Sequence, residues 1–506
     1  MSSTLLFKAI WLAPLLPLLA AAAIAARMLA GARGDASEPA TARLAEGAAS
    51  LALLLLLALD AVALAFGVPG QLTFGRWFAS GGVEVAFSFL ADGRGLGFAT
   101  LIAFVALIAL RFSRNYLHRE AGFHRFFMAM CLFLAGMQLI ALSGNAVLAF
   151  AGWELAGVSS YLLIGYAYER PTASGNALFA FVANRIGDAG FVLGITLAFL
   201  FLDNAEWTQL SAGGGLDRVT ARLLLFGFLL AAVAKSAKLP FSPWITRALE
   251  GPTPSSAIFY GALMVHAGVF LVIRLEPVLL LVPDVMVYLV LIGAATALYG
   301  WLAGLVQSDV KSSLVFATLS QVGLMFIACG LGWFTLAAWH LALHAAWRAW
   351  QFLMAPSYMH LVSAPAAPPP AWLAGRQGLY AAALARFWLD ALANAALLRP
   401  ARRLAEDTRR LDENVLAPLV GMPDEARAAE TVEDEVIRGH GLAGRFLAWL
   451  AGHLQRFETH LVLRGGGGPM ARLLKGAGEY FRAAEALLEQ PRYLLLLVVA
   501  TFVVIL

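Results

Sequence analysis

Eleven long apolar runs occupy most of the first 355 residues, and they constrain the fold more than any other feature of the sequence. An α-helix rises 1.5 Å per residue, so about 20 apolar residues cross a hydrocarbon core ~30 Å thick. The runs lie at residues 7–30, 47–67, 95–111, 126–142, 145–168, 177–202, 222–239, 254–274, 285–306, 312–331 and 333–355. Only 13% of the residues are charged, against about 25% in ordinary soluble domains. The sequence therefore predicts an all-α polytopic membrane protein with about eleven transmembrane helices.

Arginines between the runs predict the topology. Arg27, Arg33 and Arg43 separate the first two runs, and four more arginines lie at 111–125 between the third and fourth. Cytoplasmic loops carry an excess of Lys and Arg, so both loops are expected in the cytoplasm and the N-terminus outside. By parity the acidic loop 203–218 falls on the outer side. We expect a multi-pass protein of a bacterial inner membrane.

Three further classes are disfavoured by composition. The net charge of +4 and the lack of a basic–aromatic patch argue against nucleic acid as a partner. Cys131 and Cys329 lie in apolar runs without disulfide or metal-ligand spacing. No flavin, nicotinamide or iron–sulfur motif is present, so we expect no cofactor and no metal in this chain.

The character of the sequence changes after residue 360. Residues 364–370 form a proline–alanine linker, and charges of both signs then recur up to residue 492. Within 379–398 a polar face repeats at Arg386, Asp390 and Asn394, which predicts a helix along the membrane surface. A twelfth span is the alternative, but parity would place the arginines of 399–410 outside. The predicted parts are N-terminal transmembrane helices at 1–90, a conducting core at 91–360, a linker and cytoplasmic-side lateral helices at 361–490, and a C-terminal membrane helix at 491–506.

The seventh run carries the most informative charge. Lys235 lies inside it, Lys238 lies near its end, and Pro240 and Pro243 follow. Proline cannot continue a regular helix, so the helix should break just beyond Lys235. Broken helices survive at membrane depth only where protein or a water-filled cavity satisfies the backbone, and an ionisable group there indicates a transport site. A lysine that extends to the headgroups is the structural alternative.

Other ionisable groups also fall within apolar runs. Glu154 lies in the fifth run and is the predicted acidic partner of Lys235. Arg185 and Asp188 lie three residues apart in the sixth and either neutralise each other or take part in transport. Asp309 and Lys311 open the tenth run, where a solvated helix start is the simplest interpretation.

The eleventh run places His340, His344 and Arg348 on one helical face. Histidine titrates near neutral pH, so two imidazoles one turn apart form a candidate proton relay. Arginine keeps its proton and can only act on its neighbours electrostatically. Paired structural histidines remain the alternative, and no nearby carboxylate or cysteine completes a metal shell. His266 in the eighth run is a further candidate for the pathway.

These residues stand in a recognisable order of motifs. They are FSRNYLHREAGFHRFF (112–127), WELAGVSSYLLIGY (153–166), ANRIGDAG (183–190), AVAKSAKLPF (232–241), GPTPSSAIFYGALMVHAG (251–268), SDVKSSLVFATLSQVG (308–323) and HLALHAAWRA (340–349). Over residues 90–355 the chain resembles the proton-pumping, antiporter-like subunits of respiratory complex I and of multi-subunit sodium/proton antiporters, above all the L-type subunit.

The resemblance implies roles for individual residues. Glu154 resembles the family's fifth-helix acid, Lys235 its broken-helix lysine, and His340 with His344 its central relay. Two positions depart from the family, which has a lysine at Arg348 and a histidine at Tyr260. After residue 355 the family continues with further spans, whereas 386–416 here resembles the start of the L-type lateral helix.

A shortened L-type subunit resembles DabB, the membrane subunit of two-component inorganic-carbon accumulation systems. That resemblance implies a DabA-like partner, a large peripheral zinc protein on the cytoplasmic side, and a cation gradient of H+ or Na+ that drives CO2 conversion to bicarbonate. The alternative is a proton-translocating subunit of a redox-driven complex such as complex I or a membrane hydrogenase, and a non-conducting scaffold is a third interpretation. In each case the catalytic chemistry belongs to a partner.

Overall fold

The computed structural model describes residues 3–32, 34–212, 216–355, 368–412 and 449. Two units are distinguished along the chain, with the boundary after Asn394. The first unit is a helical membrane bundle with one two-stranded sheet. Its helices are α1 (Ser3–Phe7), α2 (Leu12–Leu29), α3 (Glu38–Phe66), α4 (Gly93–Tyr116), α5 (Phe123–Leu142), α6 (Ala146–Ile164), α7 (Pro171–Leu202), α8 (Trp207–Ala212), α9 (Arg218–Lys235), α10 (Pro243–Arg247), α11 (Thr253–Ser256), α12 (Met264–Arg274), α13 (Glu276–Leu279), α14 (Pro283–Gly304), α15 (Val310–Gly330), α16 (Phe334–Met354), α17 (Ala371–Ala374), α18 (Gln377–Leu384) and α19 (Leu389–Ala393).

Each of the eleven apolar runs corresponds to helix, so the prediction of a polytopic helical membrane protein is confirmed. Within the described ranges, nine helical segments are long and apolar enough to cross a membrane. The seventh and eleventh runs, which form α9 and α16, are not among the nine. Both carry the ionisable residues singled out above.

Polar contacts define the two ends of the bundle. One end carries the two-stranded sheet, an antiparallel hairpin at residues 70–91, and is here called the hairpin end. At this end Asp92 pairs with Arg274, and the backbone of Asn145 bridges to Glu206. At the other end, His118 contacts Glu38 at 2.7 Å, and Arg125 donates to the Tyr166 carbonyl at 2.7 Å. The arginine-rich loops at 27–43 and 111–125 lie at this second end. The helix ends therefore alternate as the predicted topology requires, with the hairpin end expected outside.

Several helices begin where an Asp or Asn side chain accepts a hydrogen bond from a backbone N–H of the first helical turn. Asp92 accepts from Gly95 at 2.8 Å, Asn145 from Leu148 at 2.8 Å, and Asp217 from Val219 at 2.7 Å. Such caps satisfy donors that have no intrahelical partner. They set the starts of α4, α6 and α9 at the hairpin end.

The sequence interpretation of residues 1–90 as transmembrane helices is wrong for residues 70–90. β1 (Gly70–Ser80) and β2 (Val83–Ala91) form an antiparallel hairpin with irregular register at two points. Glu206 ties the hairpin to the loop after α7, because Gln71 and Ser88 donate to it at 2.5 and 2.9 Å. Partial burial raises the pKa of this carboxyl above its usual range.

The predicted helix break is confirmed. α9 ends at Lys235, and a turn in which Lys238 N–H donates to the Val233 carbonyl at 2.8 Å precedes α10. The following span is also irregular, because α11 passes through a π-helix at Ala257–Ala262 before α12. Such irregular segments occur in membrane helices where other groups form hydrogen bonds with the freed backbone N–H and C=O groups.

Glycines allow α7 and α9 to approach closely. A Cβ placed on Gly227 would lie 2.6 Å from the Gly194 nitrogen and 2.7 Å from the Gly190 carbonyl oxygen. Small residues at such an interface let helix backbones meet in lipid. This close contact brings the charged residues of α7 within reach of the end of α9.

The segment predicted as one surface helix at 379–398 is broken instead. Arg386, Phe387 and Trp388 have positive φ angles of 52°, 54° and 55°, which interrupts the helix between α18 and α19. Of its expected polar face, Arg386 and Asp390 pair at 3.5 Å, and Asp390 also pairs with Arg247 of α10 at 3.4 Å. This polar face therefore contacts α10, and the sequence did not predict Arg247 as its partner.

The second unit is described only in part. Within it α20 (Arg399–Leu411) is polar, has no buried residue and contains the expected arginine cluster. Most of the predicted lateral segment and the predicted membrane helix at 491–506 lie outside the described residues.

Candidate functional site

Four ionisable side chains from three helices meet inside the first unit, and we call them the acid–lysine cluster: Glu154 of α6, Arg185 and Asp188 of α7, and Lys235 of α9. Arg185 forms a short ion pair with Glu154, and its Nε lies 3.0 Å from Asp188 Oδ2. Lys235 Nζ lies 3.8 Å from Asp188 Oδ1. The cluster thus holds two cations and two carboxylates, which is the balance that buried charges require.

Trp153 joins two members of this cluster. Its indole N–H donates to Asp188 Oδ1 at 2.9 Å, and its carbonyl oxygen lies 3.5 Å from Lys235 Nζ. The ammonium also lies 5.0 Å from the centroid of the Trp153 ring, within cation–π range. Lys235 is 1% exposed, so these contacts replace most of its solvation.

The acidic partner of Lys235 differs from the sequence prediction. Glu154 was the expected partner, but its contact is with Arg185, whereas Asp188 holds Lys235. Arg185 and Asp188 pair with each other, as one of the two interpretations of their spacing predicted. Sequence spacing shows which residues share a helix face, but not which of two nearby acids a lysine on another helix will reach.

A second group of ionisable side chains lies beyond the break, and we call it the histidine cluster: Lys238, His266, His340, His344 and Arg348. His266 Nε2 lies 3.0 Å from His344 Nδ1, and Arg348 Nε donates to His344 Nε2 at 3.4 Å. Lys238, which is fully buried, donates to the Leu319 carbonyl at 3.3 Å and lies over the Phe326 ring. In the part of the chain that the structure describes, no carboxylate forms an ion pair with this cluster.

Arg348 determines the direction of the hydrogen bond between the two paired histidines, His344 and His266. An arginine can only donate hydrogen bonds, so His344 Nε2 must accept and a neutral His344 carries its proton on Nδ1. That proton points at His266 Nε2, which then accepts. The donors therefore run from Arg348 through His344 to His266, an arrangement that can pass a proton by exchange of tautomers.

His340 stands to one side of this pair. Its Nε2 lies 2.9 Å from Gln321 Oε1 of α15, and its ring centroid is 6.1 Å from that of His344. The expected His340–His344–Arg348 face exists, but the short contact of His344 is with His266 on another helix. Gln321 was not singled out from the sequence.

Tyr260 occupies the position where the resembled family has a histidine. Its hydroxyl donates to the Ala248 carbonyl and lies 2.9 Å from Ser256 Oγ. Tyr260 is therefore held away from the ionisable groups, and His266, six residues further along, supplies the imidazole instead.

The two residues at the start of the tenth run have structural contacts. Asp309 accepts from the Ser312 N–H at 2.8 Å as the cap of α15, and Lys311 donates to Thr253 Oγ1 at 2.6 Å. This agrees with the simpler interpretation of a helix start. Among the described residues there is also no group of three His, Cys, Asp or Glu side chains arranged for a metal ion.

The fold and the clusters together define a multi-pass membrane protein with charged groups inside its helical bundle. Comparisons with known proteins are consistent with this class of protein. Residues 143–364 match the family described as NADH:quinone oxidoreductase/Mrp antiporter, transmembrane, and residues 77–127 match the complex I chain 5 N-terminal family. These two regions of the chain are therefore similar to the antiporter-like membrane subunits of complex I and of the Mrp antiporters.

Individual relatives give the extent of the similarity. The chain is 38% identical over 287 residues to NADH-quinone oxidoreductase subunit L of Mycobacterium tuberculosis, which covers 56% of this chain and 45% of the relative. It is 39% identical over 291 residues to the chloroplast NAD(P)H-quinone oxidoreductase subunit 5 of Ceratophyllum demersum, covering 56% and 39%. The chain thus spans less than half the length of these curated relatives.

Two solved structures share the fold. A chain of the Mrp complex from Dietzia sp. DQ12-45-1b aligns with a TM-score of 0.59 at 20% identity, covering 99% of this chain and 62% of that one. A chain of the membrane-bound sulfane sulfur reductase, an archaeal respiratory membrane complex, aligns with a TM-score of 0.57 at 20% identity, covering 68% and 55%.

Proposed function

We propose that this protein is a proton-conducting, antiporter-like subunit of a larger membrane complex, and that a redox-active partner in the complex drives it. The observation that carries the proposal is the break after α9. Lys235 before the break belongs to the acid–lysine cluster, and Lys238 three residues later belongs to the histidine cluster. One irregular turn thus joins two buried groups of proton-binding side chains.

Each cluster has its own part in conduction. In the acid–lysine cluster, Asp188 holds the charged form of Lys235, and a shift of Arg185 between Glu154 and Asp188 changes how strongly it does so. A weaker hold releases the lysine's proton across the break. In the histidine cluster the His344–His266 pair accepts that proton and passes it by exchange of tautomers, while Arg348 sets the tautomer in which both rings rest.

The redox assignment rests on relatives that are named as quinone oxidoreductase subunits. In this assignment the sites for electron transfer belong to other subunits of the complex. A bacterial inner membrane is the location that we propose, with the hairpin end outside.

Proton flux into liposomes that contain the purified complex tests the proposal. Lys235→Ala should abolish flux followed with a pH-sensitive dye, whereas Lys311→Ala should retain it, because Lys311 only contacts Thr253 near a helix start. Both variants should assemble. Normal flux with Lys235→Ala would overturn the proposal, and sodium-dependent flux at fixed pH would replace H+ by Na+ as the ion.

A second candidate function is coupling to inorganic-carbon accumulation with a DabA-like zinc partner. The observation in its favour is that the family match ends at residue 364 and the described chain then turns to a broken, charged helical segment. Co-purification separates the two candidates. Flavin or iron–sulfur subunits in the complex support the redox assignment, and a large zinc protein with CO2-hydrating activity supports the second.

A further inference from the structure

A cavity opens at the hairpin end of the bundle. It has a volume of about 360 Å³, and we call it the outer vestibule; Asp92, Arg94, Trp207, Thr208, Phe270 and Arg274 are among its lining residues. The vestibule lies between the start of α4, α8 and the end of α12. None of the motifs that carry the family resemblance points to it.

A smaller space continues inward from the vestibule. It shares Trp207, Phe270 and Arg274 with the vestibule and is lined at its inner end by Trp153. Trp153 is the residue whose indole N–H contacts Asp188 and whose carbonyl faces Lys235. Trp153 therefore lines the vestibule's inner extension and also contacts the acid–lysine cluster.

The inner space is nearly closed. Its volume of about 10 Å³ is at the lower limit for one water molecule. Arg274 forms part of the constriction, because its side chain is only 8% exposed, pairs with Asp92 and donates to the Ala141 carbonyl at 3.3 Å. The guanidinium also lies 5.1 Å from the centroid of the Phe270 ring, which lines the same space.

We propose that the outer vestibule is the route by which protons pass between the acid–lysine cluster and the outer side of the membrane, with the Arg274–Asp92 pair as its gate. The inference rests on the proposed function and adds a pathway to it. A shift of Arg274 and Phe270 admits water to the space above Trp153. A proton then moves between that water and the Lys235–Asp188 pair without any change in covalent bonds.

Cysteine substitution tests the route in the complete complex. Thr208→Cys places a thiol in the vestibule, and Gln209→Cys places one on the next residue of α8, outside its lining. Right-side-out membrane vesicles are treated from outside with a membrane-impermeant, positively charged thiol reagent. Proton flux should fall at least about tenfold for Thr208→Cys and stay unchanged for Gln209→Cys. Pro277→Cys, which also lines the vestibule, serves if Thr208→Cys fails to assemble.

The outcomes separate this inference from the proposed function. Full labelling of Thr208→Cys with unchanged flux overturns the route, as does a thiol that the reagent cannot reach from outside. If either result accompanies loss of flux with Lys235→Ala, the proposed function stands and only the vestibule is excluded. Normal flux with Lys235→Ala overturns both.

Discussion

The acid–lysine and histidine clusters are both largely buried, with the Arg185 side chain 37% exposed, but they differ in how their charges are balanced. The first balances Lys235 and Arg185 against Asp188 and Glu154. The second contains Lys238, Arg348 and imidazoles, with no carboxylate paired to them among the described residues. Buried charges are tolerated when they are paired, and an unpaired one tends to lose its charge. The paired side chains of the first cluster can therefore stay charged, whereas the second cluster can hold an extra proton only transiently.

In the proposed pathway this contrast accounts for the position of the helix break between the clusters. A proton bound on Lys235 is held by Asp188. Beyond the break it meets Lys238, Arg348 and imidazoles, with no carboxylate paired to them among the described residues, so it has no stable resting place there. The proposed pathway therefore has one cluster that holds a proton stably and one cluster that holds it only in passing.

The largest expected effect concerns the acidic partner of Lys235. Asp188→Asn removes the charge that contacts Lys235, Arg185 and Trp153 together, whereas Glu154→Gln affects only the contact with Arg185. A hydrogen bond to a charged group contributes about 1.5–3 kcal/mol, so proton flux should fall roughly ten- to hundredfold with Asp188→Asn. Glu154→Gln should reduce flux less.

Flux in liposomes at matched protein content measures both variants. Wild-type assembly of each complex is the control, since an amide is nearly isosteric with a carboxylate. A larger loss with Glu154→Gln would reverse the order and restore Glu154 as the functional partner of Lys235.

The next effect tests whether the histidine pair acts as one unit. His344→Ala should stop most flux, because it breaks the contact to His266 and removes the acceptor for Arg348. His266→Ala should cause a similar loss, and the double variant should lose no more than either alone, as expected for residues in one network. His340→Ala should lose less, since its short contact is with Gln321. Additive losses in the double variant would show that the two rings work separately.

Stability should distinguish the two lysines. Lys235→Gln leaves two carboxylates against one arginine, and breaking a buried pair in this way costs about 3–5 kcal/mol. Lys238→Gln removes a cation that has no acidic partner in the described chain, and an amide can still donate to the Leu319 carbonyl. Thermal unfolding of the purified complex should therefore shift downward with Lys235→Gln and stay level or rise with Lys238→Gln. Equal destabilisation by both would mean that Lys238 is paired as well.

The sequence predicted the spans and the candidate residues more fully than it predicted their partners. Long apolar runs and the prolines after Lys235 act locally, so the helices and the break after α9 could be derived from them. The contact of His266 with His344 joins residues 78 positions apart, and no periodicity reports such a pairing. The hairpin at 70–91 was missed because its alternation is weak beside the apolar runs, and three consecutive residues with positive φ at 386–388 have no glycine to indicate them.

The smallest expected effect is a change in pH dependence rather than a loss of activity. Arg348→Lys keeps a cation one turn from His344, so the complex should assemble and conduct protons at close to the wild-type maximum. A buried lysine can lose its charge where arginine cannot. Once it is neutral it no longer repels a proton on the adjacent imidazoles, so His344 and His266 should stay protonated to a higher pH than in the wild type. The flux profile of Arg348→Lys should accordingly move toward alkaline pH, while Lys311→Arg, at the start of α15, should leave the profile unchanged. Superimposable profiles for Arg348→Lys and the wild type would show that Arg348 has no electrostatic influence on the histidine pair, and the uncompensated character of this cluster would then have no part in setting its proton affinity.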